Sequence, residues 1–338
     1  MRYKRPILIL TVTTVGLLII AFNAANKPAV KIDGVSLVAP PNPIDSFELY
    51  SVNKINAGWV AVIPYAFSRP GEPEVNFDYE RQWWGEKPEG TVKTIQMAKA
   101  LNLNVMLKPH VWVRGQGWAG DFDLESEVDW LAWEGNYRNY IVSFAKIADS
   151  MNVEMLCIGT EFRKPAKERP AFWKGLIKEI RSFYSGKITY AANWDNYQNI
   201  SFWGELDYIG IDAYFPLSEA KTPTVEEIKA GWQAPLHEIE TFQATYQRPV
   251  LFTEFGFQSI DYATAGHWKY NQDTLNINLD AQAYAYEGTY QALKEREWFA
   301  GGFLWKWHAW HEKYGGSDCK RYTPQNKPAQ DIIAKWYK

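Results

Sequence analysis

The chain has 338 residues, 46% of them hydrophobic, and a formal net charge of −3. That length supports one large domain or two small ones with ample core, and the apolar content excludes a disordered chain. A charge this near neutrality, with no basic cluster after the first few residues, excludes a nucleic-acid footprint.

The chain begins with basic Met1-Arg2-Tyr3-Lys4-Arg5, continues as an apolar run over residues 7–22, and reaches Asn23-Ala24-Ala25. A basic start, a short apolar stretch and small residues form the pattern of an export signal. Residues 1–25 are therefore expected to act as a signal peptide or, if uncleaved, as a membrane anchor through residues 7–22. Either way the protein is expected outside the cytoplasm, secreted or periplasmic. No cysteine lies near the end of this segment for lipid attachment.

From residue 31 onward, short apolar runs alternate with amphipathic segments. Strands are expected at 31–38, 58–64, 104–109, 153–162, 187–192, 208–213, 250–257 and 301–305. Helices are expected at 45–55, 91–101, 137–151, 171–184, 201–206, 225–246, 281–295 and 329–336. Eight strand–helix units at this length predict a single-domain (β/α)8 TIM barrel over residues 31–338. A doubly wound open sheet would carry a glycine-rich loop after its first strand. Here that position reads Val38-Ala39-Pro40-Pro41-Asn42-Pro43. No internal repeat or linker is present. Two connections, 113–136 and 258–280, are long, rich in Trp, Tyr, Asp and Asn, and follow the C-terminal ends of strands, where barrels build their sites.

The chain also carries 17 Trp and 20 Tyr. Their rings serve a core, or they stack on sugar rings. Cys157 reads as a small buried strand residue and Cys319 lies in a late polar loop; together they offer no disulfide framework and no metal spacing.

Two strands end alike. Cys157-Ile158-Gly159-Thr160-Glu161-Phe162 and Val250-Leu251-Phe252-Thr253-Glu254-Phe255-Gly256 each finish in Thr-Glu-Phe, at barrel strands four and seven. An ionised side chain at the end of an apolar strand is costly unless something uses it. Two glutamates facing each other across a barrel mouth suit glycoside hydrolysis, in which paired carboxyl groups flank the scissile bond. Other strand ends carry polar or large flat side chains: Lys108, His110 and Trp112; Asn193 and Trp194; Tyr214; Trp305 and Trp307. Tyr214 is placed to hydrogen-bond a nucleophile, Trp305 to floor the reacting sugar, and His110 and Asn193 to bind its hydroxyls. No metal or cofactor is required.

These segments, with Leu107-Lys108-Pro109-His110-Val111 and Asp207-Tyr208-Ile209-Gly210-Ile211-Asp212-Ala213-Tyr214-Phe215-Pro216, resemble glycoside hydrolase family 113 from about residue 31 to the C-terminus. The resemblance implies a retaining β-1,4-mannanase with Glu161 as acid/base, Glu254 as nucleophile and Tyr214 hydrogen-bonded to the latter. One position departs from the wider clan: Thr160 stands where most members have an asparagine that binds the sugar 2-hydroxyl. On the resemblance, the expected substrate is mannan or glucomannan. A β-glucan, a short oligosaccharide, or a non-catalytic glycan-binding barrel are the alternatives.

Overall fold

A computed structural model describes residues 31–116, 118–266 and 268–337. The expected signal or anchor at residues 1–25 lies outside the described residues. From Lys31 onward the chain is one compact unit, and no described helix is long and apolar enough to cross a membrane.

Among the described residues ten strands occur in the order β1 (Ile32–Leu37), β2 (Trp59–Val62), β3 (Tyr65–Ser68), β4 (Asn104–Leu107), β5 (His110–Val113) and β6 (Met155–Thr160), then β7 (Lys187–Asn193), β8 (Ile209–Asp212), β9 (Val250–Phe255) and β10 (Phe299–Trp307). Eight of them, all parallel, close a barrel in which β10 pairs with β1. The expected (β/α)8 barrel is what forms. β6 and β9 are buried at every position because barrel interior covers one face and helices cover the other. Met106, Met155, Cys157, Leu251 and Phe303 pack inside the barrel. Leu156, Ile158 and Phe252 belong to the larger layer between strands and helices.

Local chemistry sets the helix limits. Asp45 caps the helix Ser46–Lys54 by accepting from the Phe47 amide at 2.8 Å, and Glu48 reaches back to the Asp45 amide at 3.0 Å. The long helix Glu127–Ser150 starts at the Ser126 cap, ten residues before the expected start at 137. Its apolar stripe includes Trp133, Tyr137 and Tyr140, so aromatic rings carry the periodicity there. Tyr137 donates to the Ile158 carbonyl at 2.9 Å and Tyr140 to that of His110 at 2.9 Å, tying this helix to two strand ends.

Three expectations need correction. The segment 225–246 is two helices, Val225–Gly231 and Gln233–Tyr246, divided at Trp232. The segment 201–206 holds only the 3₁₀ turn Trp203–Glu205. The second and third barrel strands end early, at Val62 and Leu107, and the chain then resumes as β3 and β5, a separate two-stranded parallel sheet above the rim. Pro64 and Pro109 stand in those breaks, where a missing amide hydrogen interrupts the ladder.

Close packing at the mouth is strict. A Cβ on Gly256 would fall inside contact distance of the Trp305 carbonyl oxygen. Gly256→Ala is expected to destabilise the fold by about 1–3 kcal/mol, as overpacking does. A denaturant-unfolding midpoint equal to that of the wild type would contradict this packing.

Candidate active site

A cleft of about 850 Å³ opens at the C-terminal end of the barrel, and Glu161 and Glu254 both line it. Glu161 follows β6 with φ 56°, a left-handed conformation unusual for a residue with a Cβ. Its amide donates to the Ala191 carbonyl at 2.8 Å, which holds that turn against β7. Glu254 reaches the cleft through a register slip. Ile211 pairs with Phe252 but Asp212 pairs with Glu254, so β9 has one extra residue there. Strict alternation would send Glu254 outward with Phe252; the bulge re-aims it into the barrel mouth.

The two carboxyl groups sit in different surroundings. Glu254 Oε1 accepts from Lys108 Nζ at 2.6 Å and Oε2 from the Tyr214 hydroxyl at 2.8 Å. His110 Nε2 stands 3.6 Å from Oε1. Burial, and then the Lys108 charge, hold His110 well below its usual pKa, so the ring is neutral. Glu161 Oε2 accepts from Trp118 Nε1 at 2.6 Å. Burial first, then the charges of Asp212 and Glu254, push its carboxyl well above the usual range, against the Trp118 bond.

Beneath Glu254 lies a buried charged cluster. Lys108 continues the inward face of β4 after Met106, and Nζ also meets Asp212 Oδ1 at 3.2 Å. Burial works against the ammonium, but Asp212 and Glu254 outweigh it and hold its pKa above the ordinary lysine value. Burial, and then the charge of Glu254, push Asp212 up to about 7, against Lys108.

Most of the strand-end residues singled out in the sequence meet in this cleft: His110, Trp112, Thr160, Asn193, Trp194, Tyr214 and Trp305. Trp305, whose peptide bond to Lys306 is cis, lies parallel to the His110 ring at 4° and 6.2 Å. Trp194 stacks on Trp268, itself half exposed, with centroids 5.4 Å apart. Asn193 donates to Asp195 at 3.0 Å. Two residues are placed elsewhere. Trp307 is fully buried and donates to Ser51 at 3.0 Å, so it is a core residue instead of a cleft wall. Lys108 is also fully buried and meets Glu254 from below, out of reach of a substrate.

Other cleft residues went unnamed in the sequence. Trp118 lies in the long connection after β5, and its neighbour Arg163 places its guanidinium 4.6 Å over the indole while pairing with Asp195. Tyr322 arrives from the C-terminal loop and packs edge-on to Tyr214 at 6.0 Å. Asp212 was legible by the reasoning that found the glutamates, being a carboxylate ending the apolar run Ile209-Gly210-Ile211. Beyond Trp305 and Trp112, which line both, a second cavity of about 510 Å³ continues between Trp83, Trp310 and Tyr314. Among the described residues no cluster of His, Cys, Asp and Glu forms a metal site.

A parallel barrel with two glutamates delivered to one aromatic cleft at its C-terminal mouth defines a glycoside hydrolase of the barrel class. The model of Glycoside Hydrolase Family 113 matches residues 43–327, and the chain belongs to that family. Similar solved structures include the GH113 β-mannanase AaManA from Alicyclobacillus acidocaldarius in complex with ManMIm, with a TM-score of 0.79, 25% identity, and coverage of 91% of this chain and 97% of that one. Two GH113 β-1,4-mannanase structures follow, one of them a complex: TM-scores 0.76 and 0.75, identities 26% and 27%, covering 91% and 90% of this chain and 98% of each of theirs. A β-glucuronidase from an uncultured Clostridium sp. shares only the fold, at 16% identity, a TM-score of 0.63, 91% coverage of this chain and 50% of its own. No curated protein sequence matches the chain significantly.

The raised Glu161 has a consequence for stability. Folding lets this group keep its proton above its ordinary value of 4.5. The folded state then binds more protons than the unfolded state, so stability falls as pH rises through the window above that value. Glu161→Gln removes the penalty. Its melting temperature relative to wild type is expected to be higher at pH 8 than at pH 4, by about 2–4 °C; a difference independent of pH would contradict the raised carboxyl.

Proposed function

We propose that this protein is a retaining endo-β-1,4-mannanase, acting on mannan or glucomannan outside the cytoplasm. The observation that carries the reading is the unequal setting of two glutamates in one cleft. Glu254 accepts from a lysine ammonium on one oxygen and a tyrosine hydroxyl on the other, which fix its orientation. Glu161 is buried near other negative charge, which favours its protonated form. One group is thereby kept as nucleophile and the other as acid.

In the first step a Glu254 oxygen bonds to the anomeric carbon as the glycosidic bond breaks, and the leaving oxygen takes the Glu161 proton. In the second, Glu161 accepts a proton from water, the water oxygen bonds to that carbon, and the ester breaks to return the Glu254 carboxylate. Tyr214 aims the nucleophile, and Trp305 offers a flat face beside it.

Four further features support the finer reading. The second cavity past Trp305 gives room for several consecutive sugars, as internal cleavage of a polymer requires. The stacked pair Trp194 and Trp268 offers a platform elsewhere in the same cleft. The similar solved structures are β-mannanases. The basic start and the apolar run at 7–22 support export to meet an extracellular polymer.

Reducing-end release should be measured on mannan, glucomannan, cellulose, β-glucan and xylan. Release from mannan with retained anomeric configuration is expected, with a loss of roughly 10³-fold or more in Glu254→Ala. Release from β-glucan alone would overturn the mannanase assignment, and full activity in Glu254→Ala would overturn that of the nucleophile.

The Trp118 bond favours the charged form of Glu161. Trp118→Phe is therefore expected to raise the pKa of the acid further and to move the alkaline limb of the kcat/KM profile to higher pH. A limb displaced to lower pH would contradict the pairing.

A further inference from the structure

The cation beneath Glu254 has a second carboxylate for company, and that carboxylate lines no part of the cleft. Lys108 Nζ is fully buried and donates to Glu254 Oε1 at 2.6 Å, to Asp212 Oδ1 at 3.2 Å and to the Thr253 carbonyl at 3.3 Å. All three of its hydrogens are thereby committed. Asp212 is equally buried; its Oδ1 takes a further bond from the Thr253 hydroxyl at 2.7 Å, while Oδ2 has no hydrogen-bond partner among the described residues. A lysine needed only to anchor Glu254 would not require a second buried carboxylate, which is costly to keep.

We propose that Lys108 and Asp212 are positioning residues forming a charge counterweight, in which Asp212 remains as partner of the Lys108 ammonium when Glu254 becomes a neutral ester. The inference rests on the reading of Glu254 as nucleophile. In the free enzyme one cation serves two carboxyl groups. Ester formation joins Glu254 to the anomeric carbon and removes its charge, leaving Lys108 and the ionised Asp212 as a matched pair. The charge of Glu254 is also one cause of the high Asp212 pKa, so its loss favours the ionised partner at the moment it is needed. Without Asp212 the balance inverts. The free enzyme holds a matched Lys108–Glu254 pair, and the ester strands a buried ammonium.

The two half-reactions then respond in opposite directions. The transition state of glycosylation has already lost part of the Glu254 charge, so its barrier rises when Asp212 is neutralised. The ester loses more than the transition state leading out of it, so the barrier to deglycosylation falls. A merely structural defect would slow both.

The test uses a dinitrophenyl β-glycoside of the sugar that the enzyme cleaves, with pre-steady-state and steady-state kinetics. On this substrate kcat/KM reads glycosylation and kcat reads deglycosylation. In Asp212→Asn, kcat/KM is expected to fall about tenfold or more, while kcat holds or rises and the product burst shrinks. Thr253→Val takes one hydrogen bond from Asp212 and leaves every charge in place; a smaller split in the same direction is expected, and it decides the matter if Asp212→Asn does not fold. Equal losses in both constants, or none, in the folded variants overturn the counterweight. Turnover surviving in Glu254→Ala overturns the nucleophile reading instead, so the two failures are distinguishable.

Discussion

An ammonium group without access to water must be surrounded by anions, and Lys108 is such a group. Lys108 directly follows β4, and its two partners come from two other strands: Asp212 ends β8 and Glu254 lies in β9. Removing one partner of a buried ion pair typically costs about 3–5 kcal/mol because it strands the other. Cluster and barrel closure therefore depend on each other. The strands must converge for the charges to meet, and the charges are tolerable only where the strands converge. The bulge in β9 belongs to the same constraint, since an unbulged strand would turn Glu254 away from Lys108 and take one of the two carboxylates from the ammonium.

From this cluster follows the asymmetry of the cleft. Glu254 lies on the cationic side and has donors on both oxygens. Glu161 lies on the other side, feels the negative charges of Asp212 and Glu254, and has the Trp118 indole on one oxygen. Sequence alone makes the two residues look equivalent, since each ends an apolar strand in Thr-Glu-Phe. Their surroundings make them different. A single bulge and a single lysine give Glu254 a cationic neighbour, while burial and nearby negative charge push the Glu161 carboxyl up.

The barrel and its paired glutamates were legible because they rest on strict local rules. Parallel strands covered on both faces read as continuous apolar runs, and a glutamate closing such a run is conspicuous. Lys108 was visible for the same reason, yet its role was not. Inward alternation after Met106 points it into the barrel, but a sequence does not say whether the space above an inward residue is open or filled. Trp307 illustrates the converse. It follows Trp305 by two residues in a strand, yet Trp305 lines the cleft while Trp307 is buried against Ser51, because β10 has one extra residue against β1 between Leu304 and Trp307, which turns Trp307 to the helix side. Trp118 and Tyr322 were illegible for a different reason. Both sit on loops, where no period ties a residue to a face.

That division of the chain between strand ends and loops also divides the work. Glu161, Glu254 and Tyr214 stand on strand ends or just after them, aimed by the barrel's ladder, and their geometry has little freedom. Much of the length of the cleft is instead lined from loops and from the small sheet of β3 and β5, by Trp83, Trp112, Trp268 and Trp310. Aromatic faces hold a pyranose by its apolar side and discriminate weakly between hexoses, whereas a polar group left unpaired by the wrong hydroxyl discriminates strongly. Broad aromatic walls of this kind suit stacking against a carbohydrate substrate. Choice of sugar must fall to the few polar groups among them, with Asn193, Asp195 and Thr160 closest in sequence to the strand ends that carry the chemistry. A change at those three would alter which sugar is accepted without disturbing the charge pattern around Lys108, and a change at Lys108 would do the reverse.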